Sequence, residues 1–415
     1  MDERFWKITE HAYTTVPLYI RRDKSFEELE EWEDIPVLEK TEILNNPDSF
    51  YSGMFFGGES KEIIQRHTSG TTGKYLELYW NKNDYRKSLI PVWIFRKKYY
   101  NIRPSDKMCY FYTTSNMGCR DNTEYEEEYR NVKGFSKNNL NHQRMLEIYA
   151  EIIKYNPVWL FIQPSMASLL CDAAEETGMG IDALKYVEFT GEMLTKDVRK
   201  RVEDIFGCKT ANHYGCNEVN TIAFECPYGK MHVISNDIYV EAVDTKNGKN
   251  VDTGYEGGLL ITSSVNRVNP FLRYNTGDKG KVFDDVKCMC GCNGQIIELT
   301  GGRVHDFIKL KDGTRINAYI FVHAVEEVNR EYESCIRQFQ IIQNDYDRFN
   351  VRLSIDEEVS DLGITKQMIE DKFTTNVLHP DIGDAVYEFE FYSQLFPEGK
   401  GGKWCWFIRN VDVGR

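Results

Sequence analysis

The sequence lacks any apolar run long enough to cross a lipid bilayer, and its first residues lack a basic start followed by an apolar core segment. It also lacks an excess of positive charge, because 51 lysines and arginines stand against 65 aspartates and glutamates, for a formal net charge of −14. The acidic residues are spread along the chain and do not form a tail. These absences argue against a nucleic-acid surface or an anionic membrane as partner, and we expect a soluble, cytoplasmic protein.

The features of a disulfide scaffold are missing as well. The eleven cysteines are odd in number, and they are spread over a chain of 415 residues. We therefore expect reduced thiols, most of them packed as small apolar groups.

The spacing of a Walker loop is absent, but another hydroxyl- and glycine-rich run is present. It consists of Thr68, Ser69, Gly70, Thr71, Thr72, Gly73 and Lys74. A Walker loop would place four residues between its two glycines, whereas this run has only two. Glycines let backbone N–H groups turn toward a polyphosphate, the hydroxyls donate further bonds, and the lysine supplies charge. The alternative is an ordinary surface turn of the same composition.

Strand and helix signals alternate between residues 142 and 214. Apolar residues of 142–153 fall on one helical face. Strands at 158–162, 186–189 and 209–214 then alternate with helices at 165–178 and 195–207. This order predicts a parallel sheet with right-handed crossovers, whose ligands bind at the carboxyl ends of the strands.

Polar clusters follow two of these strands. Thr190-Gly191-Glu192 comes after the second strand, and the third ends in Tyr214-Gly215-Cys216-Asn217-Glu218. An aromatic ring such as that of Tyr214 can stack on a base, and a carboxylate such as that of Glu218 can hold Mg²⁺ against phosphate oxygens. Taken singly, Tyr214 is better explained as an ordinary strand aromatic and Glu218 as a solvated turn residue. Their placement at the binding edge of the sheet, in a chain that also carries the run at 68–74, favours a ligand site.

Other stretches carry weaker signals. The sequence predicts a helix at residues 84–100, which Pro91 should kink or restart. Residues 120–138 show no clear hydrophobic period, so we predict an exposed loop there. Residues 234–273 alternate as β-strands do, with turn signals at 246–248 and at Gly257-Gly258. A tight turn follows at Asp278, where the carboxylate is suited either to the two hydroxyls of a ribose or to an Asx-type turn.

The composition changes after residue 303. Glycines precede a charged cluster at 301–306, which is typical of a flexible junction, and short alternating segments with acidic helices follow. We predict a large domain at residues 1–303 and a small, mobile α+β domain at residues 304–415. Near its end, Lys403 lies in a glycine-rich loop, where it is either a solvated charge or a cation delivered to a site on the other domain.

Taken in order, these runs resemble the adenylate-forming superfamily of acyl- and aryl-CoA synthetases, most closely its phenylacetate–CoA ligase and capsular-polysaccharide-biosynthesis-like branch. The resemblance is carried by 68–74, 214–218, 274–278, Gly302-Arg303 with Asp306, and Gly402-Lys403. It implies an α/β fold: a large N-terminal domain with parallel βαβ sheets plus a β-rich insertion, and a small mobile C-terminal α+β domain.

The resemblance also implies ATP-dependent activation of a carboxylic acid as an acyl-adenylate, then transfer to a thiol, with CoA the expected acceptor. The loop at 68–74 would hold the β- and γ-phosphates. The other nucleotide contacts would come from Tyr214, Gly215, Asn217, Asp278 and Arg303. The catalytic candidates are Glu218, which would bind Mg²⁺, and Lys403, which would bridge the substrate carboxylate and the α-phosphate.

Two residues depart from the family pattern: Asn217 replaces a usual threonine, and His305 stands at a hinge position that is commonly aspartate or lysine. These two departures leave adenylation as the expected first step, but they weaken the expectation that the acyl group is then transferred to a thiol. One alternative is therefore an adenylating enzyme that passes its acyl group to a carrier protein or an amine. Another, of a different class, is a nucleotide-binding protein of the same fold without turnover. The sequence does not name the acid, and a homodimer stays open.

A second motif combines cysteines with a histidine. Cys226 and His232 are six residues apart, and Cys288-Met289-Cys290-Gly291-Cys292 follows. Thiolates and an imidazole suit a closed, structural zinc site, and the alternative is a cluster of reduced surface thiols. Some members of the resembled branch carry zinc on a Cys, a His and a Cys-x-Cys-Gly pair, which implies the ligands Cys226, His232, Cys288 and Cys290. Cys292 would be a spare or substitute ligand.

Overall fold

The computed structural model describes residues 2–56, 63–67, 76–112, 126–137, 140–234, 236–303, 307–356, 361, 363–397 and 404–411. Its α-helices are α1 (Glu3–Thr15), α2 (Pro17–Ile20), α3 (Lys40–Asn45), α4 (Lys82–Phe95), α5 (His142–Tyr155), α6 (Pro164–Thr177), α7 (Lys196–Phe206), α8 (Ile320–Glu331) and α9 (Lys366–Thr375). Its strands are β1 (Ile63–His67), β2 (Glu77–Asn81), β3 (Met108–Tyr112), β4 (Glu126–Tyr129), β5 (Val132–Ser136), β6 (Trp159–Ile162), β7 (Tyr186–Thr190), β8 (Lys209–Cys216), β9 (Asn220–Glu225), β10 (Met231–Val233), β11 (Ile238–Val243), β12 (Glu256–Ser263), β13 (Tyr274–Lys287), β14 (Asn293–Arg303), β15 (Phe307–Lys309), β16 (Arg315–Asn317), β17 (Ile336–Asp345), β18 (Arg348–Ile355), β19 (Val386–Tyr392) and β20 (Phe407–Arg409). None of the helices in these ranges has the length and apolar character needed to span a bilayer.

The chain forms two compact units, and the first comprises residues 1–104 and 211–301. Its main strands follow the order β11-β12-β13-β14-β10-β9-β8, and the pairs on either side of β9 and of β12 are antiparallel. Strands β1 and β2 form a separate antiparallel pair. This unit contains the β-rich part that the resemblance implies.

A buried arginine ties the amino-terminal segment of this unit to strand β13. The Arg273 side chain is 3% exposed; its Nε donates to Glu241 Oε1 at 3.1 Å, and its guanidinium also donates to the Ile35 carbonyl at 2.9 Å. Leu38 pairs in parallel with Tyr274, and its N–H donates to the Arg273 carbonyl at 3.1 Å. The segment around Leu38 therefore lies along the beginning of β13.

Two glycines predicted to form a turn instead lie inside strand β12. Gly257 pairs with Gly280 and Gly258 with Lys279 of β13. A Cβ atom on Gly257 would lie only 2.7 Å from the backbone nitrogen and oxygen of Val243. The glycine pair thus permits a close approach of strands, which a sequence pattern does not distinguish from a turn.

Residues 84–100 are helical as predicted, but the chain does not restart at Pro91. Helix α4 runs through Pro91, and a π-helical turn follows at Arg96–Tyr100. Asn101, with φ of 57°, ends this turn in the left-handed conformation that asparagine tolerates.

The second unit comprises residues 105–210 and 302–415. Its larger sheet follows the order β7-β6-β3-β5-β4, in which β7, β6, β3 and β5 are parallel neighbours and β4 is antiparallel to β5. The parallel β6-α6-β7 unit confirms the predicted βαβ organisation. The exposed loop predicted for 120–138 is wrong over the described residues, because β4 and β5 lie there.

The carboxyl-terminal part of this unit is a small α+β structure, as predicted. Its sheet has the order β19-β18-β17-β20, with α8 and α9 packed on a core that includes Phe321, Phe349 and Phe373. Arg337 of β17 donates to Asp172 of α6 at 3.2 Å. Whether residues 304–415 move as a separate domain stays a prediction.

Candidate functional site

Two hydrogen bonds between phenols and carboxylates join two segments of the first unit. Tyr214, on β8, donates to Asp278 Oδ2 at 2.6 Å. Glu218, in the turn after β8, accepts at Oε1 from the Tyr274 hydroxyl at 3.0 Å. The structure therefore brings three predicted site residues, Tyr214, Glu218 and Asp278, into one cluster. Tyr274 was missed as a functional residue, although it opens the same motif that ends at Asp278.

The turn that carries Asp278 is held by its own side chains. Asn275 Oδ1 accepts from the Gly277 N–H at 3.0 Å, and Gly277 has a φ of 76°. Thr276 Oγ1 accepts from the Asp278 N–H at 3.1 Å and donates to the Leu259 carbonyl of β12 at 2.9 Å. The Asx-type turn considered from the sequence is thus present, and it fixes the backbone from which the Asp278 carboxylate extends.

Gly215 occupies a position that no larger residue can take. The register between β8 and β9 shifts between Tyr214 and Gly215, and a Cβ atom on Gly215 would lie 2.1 Å from the Asn220 carbonyl oxygen. The irregularity turns the chain at the end of β8 and leaves Asn217 exposed while Glu218 is buried. It thereby sets the spacing between Tyr214 and Glu218.

Burial keeps both phenols protonated. It raises the pKa of Tyr214 well above the usual value, and the neighbouring Asp278 carboxylate acts in the same direction. Burial likewise raises the pKa of Tyr274, with Glu218 as the next cause. Each phenol is therefore a permanent donor that fixes one oxygen of its carboxylate.

The cysteine and histidine motif also converges in the first unit. The four ligand atoms of Cys226, His232, Cys288 and Cys290 lie within 4.8 Å of one another. The Sγ atoms of Cys226 and Cys288 are 3.9 Å apart, and Cys290 Sγ is 3.3 Å from His232 Nε2. The Cys292 N–H donates to Cys290 Sγ at 3.4 Å, so the backbone of Cys292 supports the cluster.

The sequence of this chain is similar to one protein family model and to several known proteins. Residues 308–410 match the family model of the CapK C-terminal domain. A phenylacetate–coenzyme A ligase of Thermus thermophilus is 26% identical over 357 residues, which cover 81% of this chain and 77% of the relative. Protein CapK of Staphylococcus aureus is 22% identical over 396 residues, 91% of this chain and 80% of the relative. These similarities support the adenylate-forming superfamily as the family of this chain.

A solved structure shows a similar fold. A 2-hydroxyisobutyryl-CoA ligase in its postadenylation state superposes with a TM-score of 0.76 at 17% identity, over 99% of this chain and 89% of that one. At this identity the likeness shows the fold alone, and it confirms the α/β architecture expected of the superfamily. The sequence relatives support the phenylacetate–CoA ligase and CapK branch, which is the branch that the motifs indicated.

Several residues that the superfamily pattern implicates lie outside the described residues. They are Thr68, Ser69, Gly70, Thr71, Thr72, Gly73, Lys74, His305, Asp306, Gly402 and Lys403. Arg303 is the last residue of β14, and only its backbone is described. The roles assigned to all of them stay predictions.

Aromatic and basic residues beside the cysteine cluster were not singled out from the sequence. Lys98 Nζ and the Tyr99 hydroxyl donate to the Cys290 carbonyl at 3.2 and 3.4 Å, and the Phe95 ring lies nearly parallel to the His232 ring at 6.3 Å. They come from α4 and its π-helical turn, about 190 residues from Cys290 in sequence. No local sequence pattern predicts a contact between residues so far apart in the chain.

Proposed function

We propose that this chain activates a carboxylic acid with ATP as an acyl-adenylate and transfers the acyl group to the thiol of coenzyme A. In the first step a carboxylate oxygen attacks the α-phosphorus of ATP, and the bond to pyrophosphate breaks. In the second step the thiol sulfur attacks the acyl carbon, and AMP leaves. The names of the relatives, phenylacetate–coenzyme A ligase and 2-hydroxyisobutyryl-CoA ligase, support this reaction class.

The observation that carries the proposal is the pair of phenol–carboxylate hydrogen bonds. The Tyr214 ring would stack on adenine, while Asp278, together with Arg303, would hold the ribose hydroxyls. Glu218 would hold Mg²⁺ beside the phosphates, where the ion supplies charge neutralisation. The protein's own contribution is to position the reactants and to hold the two carboxylates in place.

The remaining contacts of the proposal come from the resemblance. The loop at 68–74 would bind the β- and γ-phosphates, with the exposed Asn217 side chain as a further donor. Lys403 would bridge the attacking carboxylate and the α-phosphate during adenylation. Movement of residues 304–415 would withdraw it before the thiol enters.

We further propose that the cysteine cluster binds a structural Zn²⁺. With Zn–S bonds of about 2.3 Å, tetrahedral sulfurs lie about 3.8 Å apart, close to the 3.9 Å between Cys226 and Cys288. Burial lowers the pKa of His232, which favours the neutral imidazole that a metal needs. All four ligand positions are filled by the protein, so the ion would stabilise the unit and leave no position for a reactant.

Pyrophosphate exchange tests the activity. Labelled pyrophosphate should enter ATP only with an accepted acid, across a panel of aryl, alkyl and dicarboxylic acids. Thioester formation is then measured with CoA, with a carrier protein and with an amine. Exchange without formation of a CoA thioester would indicate that the acceptor is a carrier protein or an amine. The absence of exchange with any acid would indicate a nucleotide-binding protein without turnover.

A lysine variant separates binding from chemistry in the same assay. Lys403→Ala should abolish exchange while calorimetric ATP affinity stays largely intact, because the ammonium acts on the reacting atoms. Lys400→Ala, in the same glycine-rich stretch of sequence, is the matched control. Unchanged exchange in Lys403→Ala would show that this lysine has no part in adenylation.

A further inference from the structure

The carboxylate of Glu39 hydrogen-bonds to the turn that carries Asp278, although the proposed reaction gives Glu39 no role. Asn275 Nδ2 donates to Glu39 Oε1 at 2.9 Å, and the two residues are 236 positions apart in sequence. Both belong to the first compact unit. A residue of the opening segment therefore contacts the turn from which a candidate ribose ligand extends.

The backbone of this part of the opening segment is held on both sides of Glu39. The Leu38 N–H donates to the Arg273 carbonyl at 3.1 Å, and the Leu38 carbonyl accepts from the Asn275 N–H at 3.0 Å. The Glu39 carbonyl accepts from the Glu42 N–H at 3.0 Å in the first turn of α3. Although Glu39 is exposed, its carboxylate thus extends from a backbone that β13 and a helix both fix.

The side-chain amide of Asn275 has two different ends, and Glu39 determines which way they point. The amide oxygen only accepts hydrogen bonds, and the NH₂ group only donates them. The Gly277 N–H needs the oxygen end, which it contacts at 3.0 Å. A carboxylate accepts hydrogen bonds and does not donate them, so Glu39 needs the NH₂ end. Glu39 therefore selects the amide orientation that the turn requires.

This orientation matters for Asp278. Gly277 has a φ of 76°, and its bond to Asn275 Oδ1 closes the Asx-type turn at this left-handed residue. Asp278 is the next residue, and its carboxylate accepts from Tyr214 at 2.6 Å. A continuous set of hydrogen bonds and one peptide link thus runs from Glu39 to the backbone of Asp278.

We propose that Glu39 is a positioning residue of the nucleotide site, which holds Asn275 in the orientation that fixes the Asp278 carboxylate for the ribose. This inference rests on the proposed ATP-dependent function. Glu39 acts through Asn275 and not on the reacting atoms, so its loss should weaken ATP binding and leave the chemical step intact. A residue with a merely structural role would not separate the two constants in this way.

Glu39→Ala tests the inference through ATP kinetics. The KM for ATP in pyrophosphate exchange should rise about 2- to 10-fold, the range expected for one hydrogen bond that water partly replaces, and kcat should stay close to the wild-type value. Glu42→Ala is the matched control. It removes a carboxylate from the first turn of α3 that pairs with Arg22 at 2.9 Å, and it should leave both constants unchanged.

Reversing the hydrogen bond between the two side chains gives a sharper test. Asn275→Asp keeps an acceptor for the Gly277 N–H but places a second carboxylate against Glu39. The KM for ATP should then rise at least as much as in Glu39→Ala, because the like charges repel. Adding Glu39→Gln lets the glutamine amide donate to the new carboxylate and should restore most of the ATP affinity. Glu39→Gln alone keeps an acceptor and should change the KM less than Glu39→Ala.

The outcomes separate this inference from the proposed function. A wild-type KM in Glu39→Ala, or an Asn275→Asp variant that Glu39→Gln does not rescue, overturns the positioning role and leaves acid activation standing. If Asn275→Asp does not fold, Glu39→Ala decides. If the wild type shows no exchange with any acid, the proposed function fails, and amide hydrogen exchange of residues 275–278 then decides. Faster exchange in Glu39→Ala than in Glu42→Ala supports the hold on the turn, and equal rates overturn it.

Discussion

The Tyr214 phenol donates a 2.6 Å hydrogen bond to the Asp278 carboxylate, and this bond connects the candidate base-stacking ring to the candidate ribose ligand. Tyr214→Phe keeps the ring and removes the bond, so Asp278 loses the contact that orients it. We expect the KM for ATP in pyrophosphate exchange to rise about 10-fold or more, because a hydrogen bond to a charged group contributes about 1.5–3 kcal/mol. Tyr274→Phe is the matched control, since it removes the bond to Glu218 and should alter the Mg²⁺ dependence instead. Equal ATP kinetics in Tyr214→Phe and the wild type would contradict the coupling.

Glu218 is the expected holder of the magnesium ion. Glu218→Gln removes its charge while keeping an acceptor for the Tyr274 hydroxyl. We expect kcat for exchange to fall about 100-fold or more, because charge neutralisation at the phosphates is lost, and the Mg²⁺ concentration for half-maximal rate to rise. Calorimetry without Mg²⁺ should show nearly unchanged ATP binding. A variant with normal Mg²⁺ dependence would remove Glu218 from the metal's ligands.

The cysteine cluster predicts which thiols hold a metal. Cys288→Ser should lower the zinc content of purified protein well below one per chain, measured by mass spectrometry, and should destabilise the first unit. Cys292→Ser should retain the metal, because its backbone N–H, and not its side chain, contacts Cys290 Sγ. Equal zinc loss in both variants would make Cys292 a ligand, and zinc-free wild-type protein would end the assignment.

Asp237 predicts a pH-dependent stability. Burial raises the pKa of its carboxyl group to about 6, so the folded protein holds this proton more tightly than the unfolded chain, where the value is near 3.8. The contribution of Asp237 is therefore fully present at low pH and is lost as pH rises from about 4 to about 6. Asp237→Asn should raise the unfolding free energy by about 1–2 kcal/mol at pH 7.5, after allowance for partial solvent access, and change it little at pH 4. Urea unfolding at both values measures this, and a pH-independent effect would exclude the carboxyl group as its cause.

The buried pair of Arg273 and Glu241 predicts a large loss of stability. Arg273→Met leaves Glu241, whose side chain is 1% exposed, without its counter-ion, and should cost about 3–5 kcal/mol of unfolding free energy. Glu241→Gln in the same chain removes the stranded charge and should recover part of that loss. Denaturant unfolding of the two single variants and the double variant gives the coupling. Additive losses would show that the pair contributes no specific interaction.

Strong local signals account for what could be predicted of the fold. Helix α7 runs from Lys196 to Phe206 because Thr195 Oγ1 accepts from the Val198 N–H at 3.3 Å and Gly207 ends it with φ of 58°. Both end residues are visible in the sequence, and the same holds for Gly178 after α6. Apolar runs between such signals identify β6 and β7.

Strands β4 and β5 could not be predicted, because their burial depends on remote partners. Glu127 is 5% exposed and Lys133 is 7% exposed, so neither residue marks a buried strand by its type. Glu127 accepts from the Tyr110 hydroxyl, and Lys133 pairs with Glu151 of α5. Contacts between separate elements turn this charged stretch into sheet.

Some residues of the candidate site could be predicted from the sequence, and others could not. Its motif residues, such as Glu218 and Asp278, could be found because each occurs in a short, characteristic run. Tyr274, the partner of Glu218, is 56 residues away from it in sequence, and the pairing is visible only once the fold brings the turn after β8 to the start of β13.

The parallel bridge between Leu38 and Tyr274 has a kinetic consequence. It joins positions more than two hundred residues apart, next to the turn that carries Asp278. Closing so long a loop is entropically expensive and slow, so we expect this corner to be among the last parts of the molecule to mature during refolding. The opening segment supplies no candidate ligand, yet nucleotide affinity should be regained only when it has docked.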